Sequence, residues 1–211
     1  MADSLSTLFL HKILEHFEEK YSAPREQFEK EMSEKYPGYT VYYAHDLTRC
    51  SRLKELEQQF PDIARSKRAE PAIILGELVH LGVENFLQAG NVAYKVLDDI
   101  KAIVCGSPDF MYNGYPVELK YQRYPVKNPK EHHLLRIRIY MWLLDVSTGY
   151  LFYITPKKIS EFEITEPLTD DEVRSLIISD NSPRWSWECK LCPFAKICNR
   201  GISDDEHEAV E

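Results

Sequence analysis

The chain has 211 residues, 44% hydrophobic and 28% charged, with a formal net charge of −8: enough apolar material for one sizeable core, and too acidic for a uniformly basic nucleic-acid binder, although a local basic patch remains compatible with it. No apolar run approaches the ~20 residues that span a bilayer, and Asp3, His11 and Glu15 interrupt the apolar positions of the N-terminus, unlike a signal peptide, so a cytoplasmic location away from membranes is expected. Five cysteines are an odd number for a disulfide framework and suit metal binding or chemistry in a reducing compartment.

Taken in order, residues 4–20 place Leu5, Leu8, Phe9, Ile13 and Phe17 at mostly helical spacing and predict an amphipathic packing helix. A second, charged helix is expected from Pro24 to Lys35, closed by a Pro37-Gly38 turn. Cys50 falls near the start of a short helix, and the polar stretch 62–70, with Arg65, Lys67 and Arg68, reads as a mobile loop or short helix able to reach a substrate. Pro71 opens a stronger helix whose end is expected at Gly90. Glu77, His80 and Glu84 share one face of it. A lone histidine on an apolar helix is most often a satisfied core residue; polar neighbours on the same face make His80 a metal-ligand candidate.

Strands are expected near 92–97, 101–106 and 115–120, the last two as the central hairpin. A helix from Pro129 to Val146 follows, so widely apolar that it must be buried against a sheet; its polar line is His132, Arg136 and Tyr140. Two more strands, 149–155 and 160–164, and a helix from Thr169 to Ser179 complete the pattern. Asp170, Asp171 and Glu172 suit that helix's N-terminus through the macrodipole.

The chemistry concentrates in Gly106 to Lys120, GSPDFMYNGYPVELK. Asn113-Gly114 predicts a two-residue hairpin turn, because both residues tolerate positive φ. Tyr112 then faces Tyr115, and Asp109 comes opposite Glu118, with Lys120 on the same strand face as Glu118. Directly opposed like charges cost ~0.2–1 kcal/mol, so a cation between them is expected. Hard oxygen ligands point to magnesium or manganese, with Lys120 placed to orient or activate an attacking water. A Glu-x-Lys pair alone is more often a solvated strand face; the opposed Asp109 weighs against that here.

Beyond the hairpin, Lys120, Arg123, Lys127, Lys130, Arg136 and Arg138 interleave with Tyr121 and Tyr124. Cations with aromatic faces suit a single-stranded nucleic acid groove, and equally a solvated surface. Near the end Cys189, Cys192 and Cys198 follow a C-x2-C-x5-C spacing, one thiolate short of the four that a structural zinc or an iron-sulfur cluster needs. Cys50 can supply the fourth, joining the first quarter of the chain to its end, whereas Cys105 in KAIVCG reads as a small buried residue. Trp185, Trp187 and Phe194 are expected to form an apolar jacket around the cluster.

His80 in GELVH, Asp109 in GSPDF, Glu118 and Lys120 in VELK, and the split Cys50, Cys189, Cys192 and Cys198 together resemble the CRISPR-associated RecB-like exonucleases, the fourth Cas protein family. The resemblance runs from Cys50 to Cys198 and implies an α/β PD-(D/E)XK nuclease core, a central mixed sheet flanked by helices, with an iron-sulfur cluster joining the N- and C-terminal regions. It implies manganese or magnesium held by His80, Asp109, Glu118 and the backbone carbonyl of Leu119, with Asp109, Glu118 and Lys120 catalytic. It implies that the four cysteines hold a [4Fe-4S] or [2Fe-2S] cluster. Arg123, Lys127, Arg136 and Tyr140 are the candidate DNA contacts. The family's helical Gln-x3-Tyr is matched by Tyr140, but Arg136 stands at the glutamine position. The implied function is trimming of single-stranded DNA before spacer integration, with the CRISPR integrase complex as partner. One nuclease domain over 1–200 is expected (an N-terminal helical region over 1–70, core 71–180, cysteine segment 181–200), then an acidic tail over 201–211. The same motifs occur in AddB-type repair nucleases, which are larger. A non-catalytic iron-sulfur DNA-binding scaffold and an electron-transfer protein are readings from other classes.

Overall fold

The computed structural model of the protein describes residues 5–87 and 89–198; the expected acidic tail lies outside the described residues. Helix α1 runs unbroken from Leu5 to Lys35 through Pro24, where two helices were expected. Proline removes one hydrogen bond and crowds the preceding turn, but contacts on both sides keep the halves in line. Lys20 pairs with Glu84, and Arg25 stacks 3.9 Å from the ring of Tyr43. Strand β1, Thr40–Tyr43, was not anticipated, being short and rich in tyrosine. Helices α2 (Ala44–Leu47), α3 (Leu53–Gln59) and α4 (Pro61–Arg68) follow, the last turning the stretch expected as a loop or short helix into a helix.

Helix α5 covers Pro71–Glu84 and stops well short of Gly90. Gly90 has a different task. A Cβ there would sit 2.6 Å from the Pro108 carbonyl oxygen, so glycine lets this segment close against the one that carries Asp109. Strands β2 (Ala93–Leu97) and β3 (Ala102–Gly106) come next, then β4 (Phe110–Tyr112) and β5 (Tyr115–Tyr121). β3 is the buried centre of a mixed sheet of order β1-β3-β2, parallel to β1 and antiparallel to β2. The 101–106 strand therefore does not pair with 115–120. The hairpin partner of β5 is β4, through Tyr112↔Tyr115, Met111↔Pro116 and Phe110↔Val117, with Asn113 and Gly114 at φ 50° and 86° as the turn chemistry requires.

Helix α6 (Glu131–Leu143) precedes β6 (Gly149–Ile154) and β7 (Ile159–Ile164), which extend the hairpin into a second mixed sheet of order β4-β5-β6-β7, with β5 and β6 parallel. Instead of one central sheet there are two, flanked by helices. α6 packs against strands of both, burying Ile137, Ile139 and Met141 completely. Helix α7 (Asp170–Ile178) starts with a capping box between Thr169 and Glu172, and the single-turn helix α8 (Glu188–Leu191) carries Cys189. No helix of the described residues is long and apolar enough to cross a membrane.

Candidate active site

The link from β3 to β4 delivers Asp109, and the end of α5 meets it there. Ser107 donates its hydroxyl to the Gly90 carbonyl, fixing the approach of this link. The backbone ladder ends at Phe110↔Val117, so Asp109 is not paired backbone to backbone with Glu118 as the counting predicts. Its carboxylate takes over: Oδ2 accepts the Leu119 N–H at 2.6 Å, and Oδ1 lies 3.2 Å from His80 Nδ1.

Side chains alternate along β5, which sends Glu118 and Lys120 to one face. Glu118 is 1% exposed, and its Oε1 lies 2.6 Å from Lys120 Nζ and 3.2 Å from Arg136 Nη1. Lys120 Nζ also donates to the Leu119 carbonyl at 2.7 Å and stands 3.8 Å from Asp109 Oδ2. Three oxygens of different origin thus converge on one cation. They are the oxygens the resemblance names as metal ligands, and His80 adjoins them through Asp109. Hard oxygen donors with one imidazole fit manganese or magnesium. Among the described residues no three His, Cys, Asp or Glu side chains are gathered into a closed ligand set; here the lysine ammonium is the cation between the carboxylates.

Burial opposes ionisation of Asp109, but the Lys120 charge, the His80 ring and the Leu119 N–H outweigh it and hold the carboxyl down at about 2. Asp109 is an anion at neutral pH.

Helix α6 brings Arg136 and Tyr140 to the same place, as its polar line predicts. Gly106 makes room for the tyrosine: a Cβ there would lie 2.7 Å from its ring. Arg136 Nε is buried without a hydrogen-bond partner. His132, the third member of the line, turns instead to the ring of Trp187 at 4.9 Å. The site opens into a cavity of about 560 Å³ lined by His80, Asp109, Lys120, Arg136 and Tyr140 on one side and by Lys20, Tyr21, Arg25 and Phe28 of α1 on the other. α1 is thus more than packing. Tyr21 donates its hydroxyl to Glu77 at 2.9 Å, so the Glu77 and Glu84 face of α5 is tied to α1. Only the tertiary fold reveals this wall, because α1 has a weakly amphipathic pattern interrupted by Pro24.

The expected cationic patch is only partly gathered. Arg123 and Lys127 are exposed on the stretch after β5 and do not line the cavity, Arg123 lying 5.4 Å from the Tyr124 ring. Arg65 and Arg68 approach Glu18, and Lys67 pairs with Glu70.

The fold brings four of the five cysteines to one cavity. Cys50, Cys189, Cys192 and Cys198 line a second, small cavity with Leu53, Leu56 and Ala195, while Cys105 lies fully buried in β3. Burial pushes the Cys192 thiol up, Arg52 Nη1 donates to Cys198 Sγ at 3.5 Å, and Cys50 Sγ meets Ser182 Oγ at 3.3 Å. The four thiols line one apolar-rimmed cavity, but among the described residues they are not drawn together into a closed ligand set. Phe194 is buried nearby as the jacket requires, but Trp187 is exposed and packs on His132. Glu188 was not anticipated. Its Oε1 accepts the Cys50 N–H at 2.8 Å, and Oε2 accepts those of Arg184 and Trp185 at 2.8 and 3.0 Å, stitching the two cysteine segments together.

No protein-family model matches the chain. The CRISPR-associated exonuclease Cas4 of Saccharolobus solfataricus is 32% identical, with 82% of this chain and 94% of the relative covered. The chain belongs to the Cas4 family. A solved crystal structure, that of SSO0001, matches with a TM-score of 0.73 and 28% identity over 95% of this chain and 98% of the other. The α/β architecture with mixed sheets and flanking helices is compatible with the nuclease core expected of a Cas4-family member.

Proposed function

We propose that this chain is a metal-dependent deoxyribonuclease that trims single-stranded DNA ends in CRISPR adaptation, before spacer integration and alongside the integrase complex. The observation that carries it is the convergence of Asp109, Glu118 and the Leu119 carbonyl on a single cation, inside a cavity that also presents Arg136. Membership in a family whose curated relative is named an exonuclease supports the reaction class. Manganese or magnesium held by His80, Asp109, Glu118 and the Leu119 carbonyl would supply the charge that polarises the phosphate and acidifies the attacking water.

The chain's own residues do the rest. Asp109, kept ionised, is oriented by His80 and the Leu119 N–H. Lys120 has three donors on a flexible stem and holds the water for attack on phosphorus. As the new P–O bond forms, the water releases a proton to solvent, the bond to the departing sugar oxygen breaks, and that oxygen takes up a proton from solvent. Arg136 and Lys120 balance the added charge on the phosphate, and Tyr140 flanks them. Arg123 and Lys127 contact phosphates farther along the strand.

The four cysteines hold one iron-sulfur cluster with a structural role. The thiol-lined cavity supports it, and the family resemblance favours iron-sulfur over zinc. Cleavage of end-labelled single strands with manganese, magnesium or EDTA tests the main reading. Metal-dependent shortening that is lost in Asp109→Asn is expected; DNA binding without cleavage under every condition would establish the non-catalytic scaffold instead.

A further inference from the structure

Thr48 ends α2, is 3% exposed, and has every polar atom committed. Its hydroxyl donates to the His45 carbonyl at 2.9 Å. A hydroxyl whose proton is so used presents only lone pairs, and Arg136 Nη2 stands 3.4 Å from that oxygen. The Thr48 carbonyl accepts the indole N–H of Trp185 at 2.9 Å. Trp185 is itself fastened to Glu188, which also holds the Cys50 N–H. On the other side Arg136 reaches Glu118. One buried residue therefore connects the cysteine-bearing segment to the catalytic carboxylate.

The bond to His45 alone is an ordinary local contact between a threonine and the carbonyl three residues earlier. It does not explain why the two remaining acceptors face a guanidinium and an indole from distant regions of the chain. Arg136 is also under-held for a largely buried arginine with 25% of its side chain exposed: among the described residues it makes one contact to Glu118 and a long one to Thr48, and its buried Nε has no partner. The Thr48 oxygen therefore has leverage on where the guanidinium rests.

We propose that Thr48 is a positioning residue that carries the placement of the cysteine segment to Arg136 and so sets how fully Arg136 neutralises Glu118. With the hydroxyl gone, Glu118 is the acceptor left to the guanidinium. The ion pair closes, and a divalent cation must compete with it for the carboxylate. The inference rests on the nuclease reading above, but manganese affinity tests it apart from cleavage.

The experiment uses the full chain with its thiol site loaded, and compares Thr48→Val, Thr48→Ser, Trp185→Phe, Arg136→Gln and the Thr48→Val/Arg136→Gln pair. Manganese affinity is measured calorimetrically without DNA, and kcat and KM on a labelled single strand. Loss of one long, weak hydrogen bond predicts manganese binding weakened about fivefold in Thr48→Val. A similar fall in kcat is expected, with KM changed less than about twofold. Thr48→Ser restores both, and Trp185→Phe shifts both in the same direction as Thr48→Val. In the Arg136→Gln background Thr48→Val adds nothing further. Undiminished effects in that background overturn the proposal, as does a lower melting temperature with unchanged affinity and kcat. If Arg136→Gln does not fold, Arg136→Lys replaces it. A wild type that binds manganese but cleaves no DNA sinks the nuclease reading and leaves the affinity comparison to decide the positioning role; a wild type that binds no manganese overturns both.

Discussion

Replacing Glu118 by glutamine keeps the side-chain volume and removes one charge, which makes it a clean probe of the balance at the site. Glu118 is 1% exposed and sits between Lys120 at 2.6 Å and Arg136 at 3.2 Å. Removing one partner from a buried ion pair costs ~3–5 kcal/mol, because the remaining charge is left without compensation. The Lys120 and Arg136 side chains retain 16% and 25% exposure, so water recovers some of that loss and a destabilisation of about 2–3 kcal/mol is expected. The opposite sign is common at active sites, where clustered carboxylates repel and removing one stabilises the fold. Here Asp109 and Glu118 are matched by Lys120 and Arg136, so losing Glu118 leaves an excess of positive charge. Urea unfolding at neutral pH, followed by circular dichroism, should show a lower midpoint with an unchanged slope, and Arg136→Met added to Glu118→Gln should recover some of the loss. A Glu118→Gln protein as stable as the wild type would refute the charge-balance reasoning, whether or not cleavage disappears.

The pH response of Asp109 has a definite sign. Its carboxyl is held below its ordinary 3.8, at about 2, so its stabilisation is fully present above the unfolded value and disappears as pH falls through the folded one. Unfolding measured between about pH 4 and pH 2 should therefore show a flatter pH dependence in Asp109→Asn than in the wild type; identical slopes would reject the ion-pair assignment. Arg123→Ala with Lys127→Ala should leave metal affinity unchanged and reduce the salt dependence of single-strand binding by up to ~1.4 in log–log slope, at ~0.7 per phosphate contact. An unchanged slope would mean that these exposed cations are only solvated. The proposed iron-sulfur cluster would colour the protein brown, and Cys198→Ser should then remove that colour and lower the melting temperature; zinc without iron or acid-labile sulfide in anaerobically purified protein would reject the cluster. Cys105→Ala should keep the colour; because Cys105 is fully buried in β3, a modest loss of stability is expected as well.

The sequence by itself determined the features whose physics is local. Asn113-Gly114 specifies its turn through positive φ, and the alternation along β5 puts Glu118 and Lys120 on one face. The helical period puts Arg136 and Tyr140 on one line, and cysteine spacing pairs Cys189 with Cys192 and Cys198. What the tertiary structure alone decided is which of these faces meet. Parallel pairing of β1 with β3, Thr40↔Ala102 onward, joins strands far apart in the chain and leaves no short-range signature. That pairing, and not the hairpin, claims the 101–106 strand. Asp109 leaves the ladder because its carboxylate, rather than its backbone, bonds Leu119, an exchange that residue counting cannot register. α1 becomes a wall of the cavity only through Lys20, Tyr21 and Arg25 meeting α5 and β1. Thr48 and Glu188 carry no motif at all; each matters because groups from distant segments converge on its oxygens, and such convergence exists only once the chain has closed on itself.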